Sequence, residues 1–257
     1  MGNREELNDN DFEEIEETEH ILHMWEPLSF ETYEGYKYRH TSLIFRFFSS
    51  LLHALVYLIL IIFNALAFGF TVKGKKKLYE LSNQGFVTIS NHVHPMDCTM
   101  VGVAMGARRM NYITLESNFR IPVIRHIIKL LGGVPLSKKP HEMTEMFAEM
   151  KNAISDGECV HVYPETVMHP YYDKLTRKFQ DGAFRLAYDA RSPVVPLVFT
   201  FHEPFGIFKL YKRKPIIRLS VLDPVYPDYT GTRQECITRL KNKCKSEMND
   251  EIKKYTK

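Results

Sequence analysis

In the segment Ser90-Asn91-His92-Val93-His94-Pro95-Met96-Asp97, an imidazole and a carboxylate stand five positions apart. A pair of this kind suits proton transfer. The carboxylate of Asp97 accepts a hydrogen bond from one ring nitrogen of His92 and fixes the tautomer, which leaves the other nitrogen to remove a proton from an attacking hydroxyl. No nucleophilic side chain is then required of the protein. A β-rich run, Phe86 to Ser90, precedes the pair, and an apolar stretch of helical character, Cys98 to Met105, follows it. Both residues therefore fall in a strand-to-helix loop, where an Asp in the first helical turn is favoured by the helix dipole and folds back onto the ring.

The elements that must hold this loop can be read along the chain. Short β-rich runs occur at Phe86 to Ser90, Asn111 to Leu115, Cys159 to Tyr163, Val194 to Phe201 and Ile216 to Leu222. Helical stretches separate most of them. Pro122 suits the first turn of a helix running to Leu131, and Met143, Met146, Phe147, Met150 and Ile154 recur at helical spacing as one core-facing side. Gly182 to Ala190 and Gln234 to Tyr255 read as further helices, the last with Cys236, Ile237, Leu240, Cys244, Met248 and Ile252 along one face. This alternation predicts an α/β fold, a mixed, mostly parallel sheet covered by helices.

Ahead of that domain, Leu43 to Phe70 is long enough to cross a bilayer, with only Arg46, His53 and Asn64 as strongly polar interruptions. It is expected to be a membrane-associated hydrophobic helix. Lys73, Lys75, Lys76 and Lys77 follow it and place this end on the cytoplasmic face. The expected organisation is an acidic segment over 1–42, the membrane helix over 43–70 and the catalytic domain over 71–257.

Charge and cysteine content narrow the setting. Residues 1–34 carry 12 of the 31 acidic residues and one of the 34 basic ones, so the remainder holds a surplus of 14 positive charges. A basic body suits an anionic membrane surface or a phosphorylated substrate, and no nucleic-acid-binding signature accompanies it. The acidic run from Glu5 to Glu19 reads as a solvated terminus. Cys98, Cys159, Cys236 and Cys244 form neither a C-x-x-C pair nor a zinc rhythm, which points to a reducing compartment without a disulfide framework.

Asn91-His92-x4-Asp97 resembles the first motif of the lysophospholipid (glycerophospholipid) acyltransferase family, and further blocks follow in order. Gly132-Gly133-Val134-Pro135-Leu136-Ser137-Lys138 is similar to a second block in which Gly is followed by apolar residues and an Arg that holds the acceptor phosphate; here Lys138 stands for the Arg. Glu116-Ser117-Asn118-Phe119-Arg120 resembles the stretch before it. Tyr163-Pro164-Glu165-Thr166 is similar to a Phe-Pro-Glu-Gly-Thr block, with Thr166 in place of the glycine, and Phe179-Gln180-Asp181-Gly182-Ala183 and Pro193 to Leu197 resemble the runs after it. His94 stands where the family commonly has Ser.

The resemblance covers about residues 70 to 205. It implies an O-acyltransferase in phospholipid synthesis that moves a fatty acyl group from acyl-CoA or acyl carrier protein to the free hydroxyl of a membrane lysophospholipid, 1-acylglycerol-3-phosphate foremost. It implies His92 and Asp97 as the catalytic pair and Arg120, Gly132, Lys138, Glu165 and Thr166 as substrate-binding residues, with no metal or other cofactor. Two other readings stand beside it. His92 and His94 are the start of a metal-dependent hydrolase site in one, although no further histidine shows ligand spacing. In the other, the apolar segment anchors a non-enzymatic binding domain.

Overall fold

The computed structural model describes residues 29–176 and 178–255, so the acidic run from Glu5 to Glu19 lies outside the described residues. A long helix, α1 (Leu43–Phe68), comes first. Ser42 caps its start by accepting from the Phe45 amide, and Gly69 ends it in the left-handed conformation, φ 60°, with its N–H on Ala65 O. That cap stops the helix two residues short of the apolar run. Glycine suits the position because an added Cβ would lie 2.5 Å from the Ile216 side chain.

Beyond α1 the chain alternates strands and helices. In order they are β1 (Thr71–Lys73), α2 (Lys76–Tyr79), β2 (Val87–Ser90), α3 (Asp97–Met105), β3 (Met110–Leu115), a 3₁₀ turn (Glu116–Arg120), α4 (Ile124–Leu130), β4 (Gly133–Leu136), α5 (Pro140–Ser155) and β5 (Cys159–Val162). Then come α6 (Gly182–Asp189), β6 (Val194–His202), α7 (Phe208–Tyr211), β7 (Ile216–Val221) and α8 (Arg233–Lys253). The strands form one seven-stranded sheet in the order β1-β7-β6-β2-β5-β3-β4, parallel at every pairing except β6 with β7. The α/β class and the mixed, mostly parallel sheet are as the residue pattern predicts.

Both faces of the sheet are covered, which is why its central strands read as continuous apolar runs. Val87, Ile89, Val160 and Val198 point to a core shared with Met146, Met150, Phe184, Ile237, Leu240 and Met248. Phe86, Cys159, Leu197 and Phe199 point the other way, against Leu78, Met100, Val101 and Ala104. The α5 methionines and the α8 stripe are thus core. The sequence reading assigns no strand to 71–73 or 133–136. Both are short edge pieces, and Pro135 lacks an amide, which an edge strand tolerates.

Helix α1 is long and apolar enough to cross a membrane, and only Ser49 and Asn64 along it are buried. Polar groups fasten one side of it to the domain: Ser49 Oγ donates to Leu130 O at 2.7 Å, His53 Nε2 lies 3.0 Å from Gly106 O, and Asn64 Nδ2 donates to Thr99 Oγ1 at 3.3 Å. Two of the three polar interruptions noted in the sequence therefore face the protein. The other side bears Leu43, Phe47, Leu51, Leu55, Leu58 and Ile62, all exposed. Continuous bare apolar surface of this extent marks a lipid or partner surface. Of the lysines that follow, Lys73 bonds Tyr255 OH at 2.9 Å, Lys75 reaches Val103 O at 3.4 Å and Lys77 pairs with Asp223 at 2.9 Å.

Candidate active site

The site lies where parallel strands end together. In a parallel sheet the carboxyl ends of the strands open a crevice lined by the loops that follow them. Asn91, immediately after β2, is fully buried. Its side chain donates to Phe199 O at 3.0 Å and accepts from Phe199 N at 2.8 Å. One amide thus replaces a missing rung between β2 and β6 and sets the point at which the chain leaves the sheet.

His92 follows, with a quarter of its side chain exposed. Its Nδ1 is 2.9 Å from Asp97 Oδ2, and the same oxygen accepts from Val93 N at 2.8 Å and His94 N at 3.0 Å. The Asp97 side chain has no solvent exposure. A carboxylate oxygen can only accept, so the His92 contact is a donation from Nδ1, which carries the ring proton and leaves Nε2 as a lone pair. The imidazole stacks on Tyr163, ring centroids 4.1 Å apart at 22°. Tyr163 in turn meets the edge of His161 at 4.6 Å.

Glu165 arrives from 73 residues further along the chain. Its Oε2 accepts from His92 N at 3.0 Å and its Oε1 from Thr176 N at 2.7 Å. A second brace comes from the segment after it: His169 N donates to His92 O at 2.8 Å, and Tyr171 N to Val93 O at 2.9 Å. The backbone on either side of the imidazole is therefore held by groups from a distant stretch. His94 is buried, accepts from Met96 N at 3.1 Å and packs edgewise on Phe68 at 4.7 Å. Its Nδ1 is engaged inside the loop.

Burial dominates the electrostatics. It raises the Asp97 carboxyl above its ordinary value, against the pull of His92 and the two amides, and it raises Glu165 against the amides of Thr176 and His92. Beneath the site, burial lowers His161 from 6.5 to about 3, with His92 adding to the effect. His161 is therefore a neutral ring, its Nδ1 2.9 Å from Thr88 Oγ1. Burial likewise lowers His94 and His169.

The remaining sequence-predicted residues divide. Thr166 is exposed at the turn after Glu165, with φ 62°; glycine adopts that conformation freely, which accounts for the residue type of the resembling block at this position. Arg120 ends the 3₁₀ turn that follows β3, and Lys138 is exposed just past β4, so both stand at the same edge of the sheet as His92. Gly132 does not. It precedes β4, at the opposite edge, with φ 88°, and an added Cβ would lie 1.9 Å from Met110 O. Its requirement is backbone shape at a close crossing. Tyr163 entered the sequence reading as the first residue of its block, without a role of its own, His161 and His169 were weighed there only as metal ligands, and Thr176 was not singled out. Only the aromatic at the end of β5, just before Glu165, offered a signal.

The Acyltransferase family profile matches residues 69–200. That stretch begins at the glycine cap of α1, ends in β6 and contains all the residues just described. The chain belongs to the Acyltransferase family. Over 160 residues it is 27% identical to human 1-acyl-sn-glycerol-3-phosphate acyltransferase beta, an alignment covering 61% of this chain and 55% of the relative. The chain thus spans about half the length of that curated relative. The crystal structure of the 1-acyl-sn-glycerophosphate (LPA) acyltransferase PlsC from Thermotoga maritima superposes with a TM-score of 0.57 at 19% identity, covering 83% of this chain and 89% of that one. The likeness to PlsC is one of fold. In this family member the imidazole, its carboxylate and their braces all come from loops at one edge of the sheet.

Proposed function

We propose that this chain is a membrane O-acyltransferase that moves a fatty acyl group from an acyl thioester, acyl-CoA or acyl carrier protein, to the free hydroxyl of 1-acylglycerol-3-phosphate in phospholipid synthesis. The observation that carries the proposal is the His92 imidazole, pinned through Nδ1 to buried Asp97 and open on its other side. His92 Nε2 takes the hydroxyl proton as the oxygen attacks the thioester carbonyl. The tetrahedral intermediate then collapses, the carbon–sulfur bond breaks, and the imidazolium returns the proton to the thiolate. Asp97 holds the tautomer and stabilises the imidazolium. Products are a diacyl lipid and a free thiol, so atoms and protons balance with no further reactant.

Glu165 acts on the acceptor through the His92 backbone that it holds. Arg120 and Lys138 supply positive charge to the acceptor phosphate from the same edge of the sheet, and Thr166 lines the rim. Lysine in place of arginine gives a point charge and no bidentate fork. The 1–42 segment leads into a membrane segment over 43–70, helical over Leu43–Phe68, whose bare side rests in the cytoplasmic leaflet, and residues 71–257 form the catalytic domain.

The test is transfer of labelled acyl groups from acyl-CoA and from acyl carrier protein to lysophosphatidate, in membranes bearing wild type or His92→Ala. General-base assistance contributes about 10²- to 10⁴-fold, and the variant is expected to lose at least that. Equal turnover in the two would remove the assignment.

A further inference from the structure

A second cavity, of about 330 Å³, lies at the other edge of the sheet. Residues just before α1, the inner side of the first half of α1, the turn leading into β3 and the end of α4 enclose it, and none of His92, Asp97, Glu165 or Lys138 lines it. Asn111 on its wall is level in the sheet with Val160 and Val87. His92 stands five residues beyond Val87, so the two sites are separated by on the order of 15 Å along the strands.

Its lining is cationic. Lys37, Arg109 and Lys129 contribute three positive groups beyond the Arg39–Glu158 pair and His40 adds an imidazole, while Arg108 lines the hollow with its guanidinium bonded to Leu78 O. Glu158 is the acidic residue of the lining, and both of its oxygens are engaged, with Arg39 at 3.0 Å and Asn111 at 3.0 Å. Arg109 and Lys129 make no side-chain hydrogen bond among the described residues; the Lys129 ammonium only rests over the Tyr36 and Phe30 rings, at 5.1 and 5.7 Å. Collecting more cations in a half-buried hollow than the Glu158 carboxylate of its lining can balance is unfavourable. Consistent with that, burial is the largest cause lowering Lys129, Arg109 and His40; Arg125 adds to it on Lys129 against Tyr33, Lys129 and Lys37 add to it on His40, and Arg46 and Arg39 add to it on Arg109, where Glu158 opposes them.

We infer that this hollow is a second anion site, built to receive a phosphate monoester or diester, with Arg109 and Lys129 in its lining, apart from the His92 crevice. An oxyanion there supplies the hydrogen bonds that the guanidinium and ammonium lack and offsets the positive charge gathered in the lining. The volume admits a phosphate-bearing head group and is too small for a whole phospholipid. The same helix that walls the cavity carries the bare apolar side, so a lipid lying along α1 brings its phosphate to this opening. A lipid head group and free phosphate are the two sources of that chemistry.

Calorimetric titration of the full-length protein in neutral detergent, with dihexanoyl phosphatidylglycerol and separately with inorganic phosphate, tests the inference. Removing both charges, Arg109→Gln with Lys129→Gln, is expected to weaken binding of the lipid about tenfold or more. A parallel loss for inorganic phosphate supports the site with a free anion as its ligand; a loss confined to the lipid assigns it to a head group. The charge-keeping pair, Arg109→Lys with Lys129→Arg, should retain binding within about threefold. Affinity unchanged in the charge-removing pair, no binding of either probe by wild type, or equal loss in both pairs overturns the proposal.

Discussion

At the carboxyl edge of the sheet, the backbone around His92 is tied from four sides, by Asp97, Glu165, His169 and Tyr171, and one imidazole nitrogen is left facing outward. At the amino edge, Arg109 and Lys129 line one hollow and make no side-chain hydrogen bond among the described residues. The difference follows from the two tasks. A general base must meet a proton along one direction, so its ring is locked by short bonds in a protein-built frame. An anion site needs field more than direction, and its own ligand completes the bonding. Strands separate the two, so each end can be disturbed without reaching the other.

The largest expected effect tests whether orientation is what the tied end provides. In Asp97→Ala the ring loses the acceptor that holds its proton on Nδ1, so kcat should fall about 10³- to 10⁴-fold. The double variant with His92→Ala should be no worse than either alone, because the two act as one unit. Losses that add would mean that Asp97 acts separately, and steady-state kinetics decides. Next in size is Glu165→Gln. Both carboxylate oxygens accept backbone amides, so the amide group must set a donor against His92 N or Thr176 N, at a cost of about 1–3 kcal/mol in unfolding free energy. A fall in kcat exceeding the rise in KM is expected, since the His92 backbone loosens; an effect on KM alone would transfer Glu165 to direct acceptor binding.

A third experiment asks whether the tied end depends on a neutral floor. His161 is held far below its ordinary value of 6.5, at about 3, so the unfolded chain takes up the proton first. Its contribution is present above the mid-6 range and is lost as pH falls towards about 3, by up to about 1.4 kcal/mol per pH unit. Chemical unfolding at pH 7 and pH 5 should show that loss in wild type and a flatter response in His161→Gln. Equal slopes would place the pH dependence elsewhere. The smallest effect concerns Thr166, in the left-handed region at φ 62°. Thr166→Gly should raise stability by about 0.5–1 kcal/mol without changing kcat, which would separate strain in the turn from the ring geometry.

Much of this was legible in the residues. The 26-residue apolar helix and the α5 and α8 stripes follow from hydrophobic periodicity, and the His92-to-Asp97 loop follows from its place between a β-run and a helix-like run. The edge strands were not, because three or four residues with a proline among them give no period to read. Gly132 and Lys138 stand six positions apart and read as one block, yet β4 runs between them and carries them to opposite edges of the sheet.

The sequence by itself determined the local chemistry: a carboxylate five residues from an imidazole at a helix start can reach back to its own loop, and a long apolar run must be a helix that meets lipid or core. Only the tertiary structure decided which distant groups share an edge. It brought Glu165 to the His92 amide across 73 residues, turned His53 and Asn64 inward, and gathered Arg109 and Lys129 around one hollow. Local patterns are fixed by the repeat of a single element, whereas such meetings depend on strand order and register in a parallel sheet, where every neighbour arrives by a crossover whose landing place no short stretch of sequence encodes.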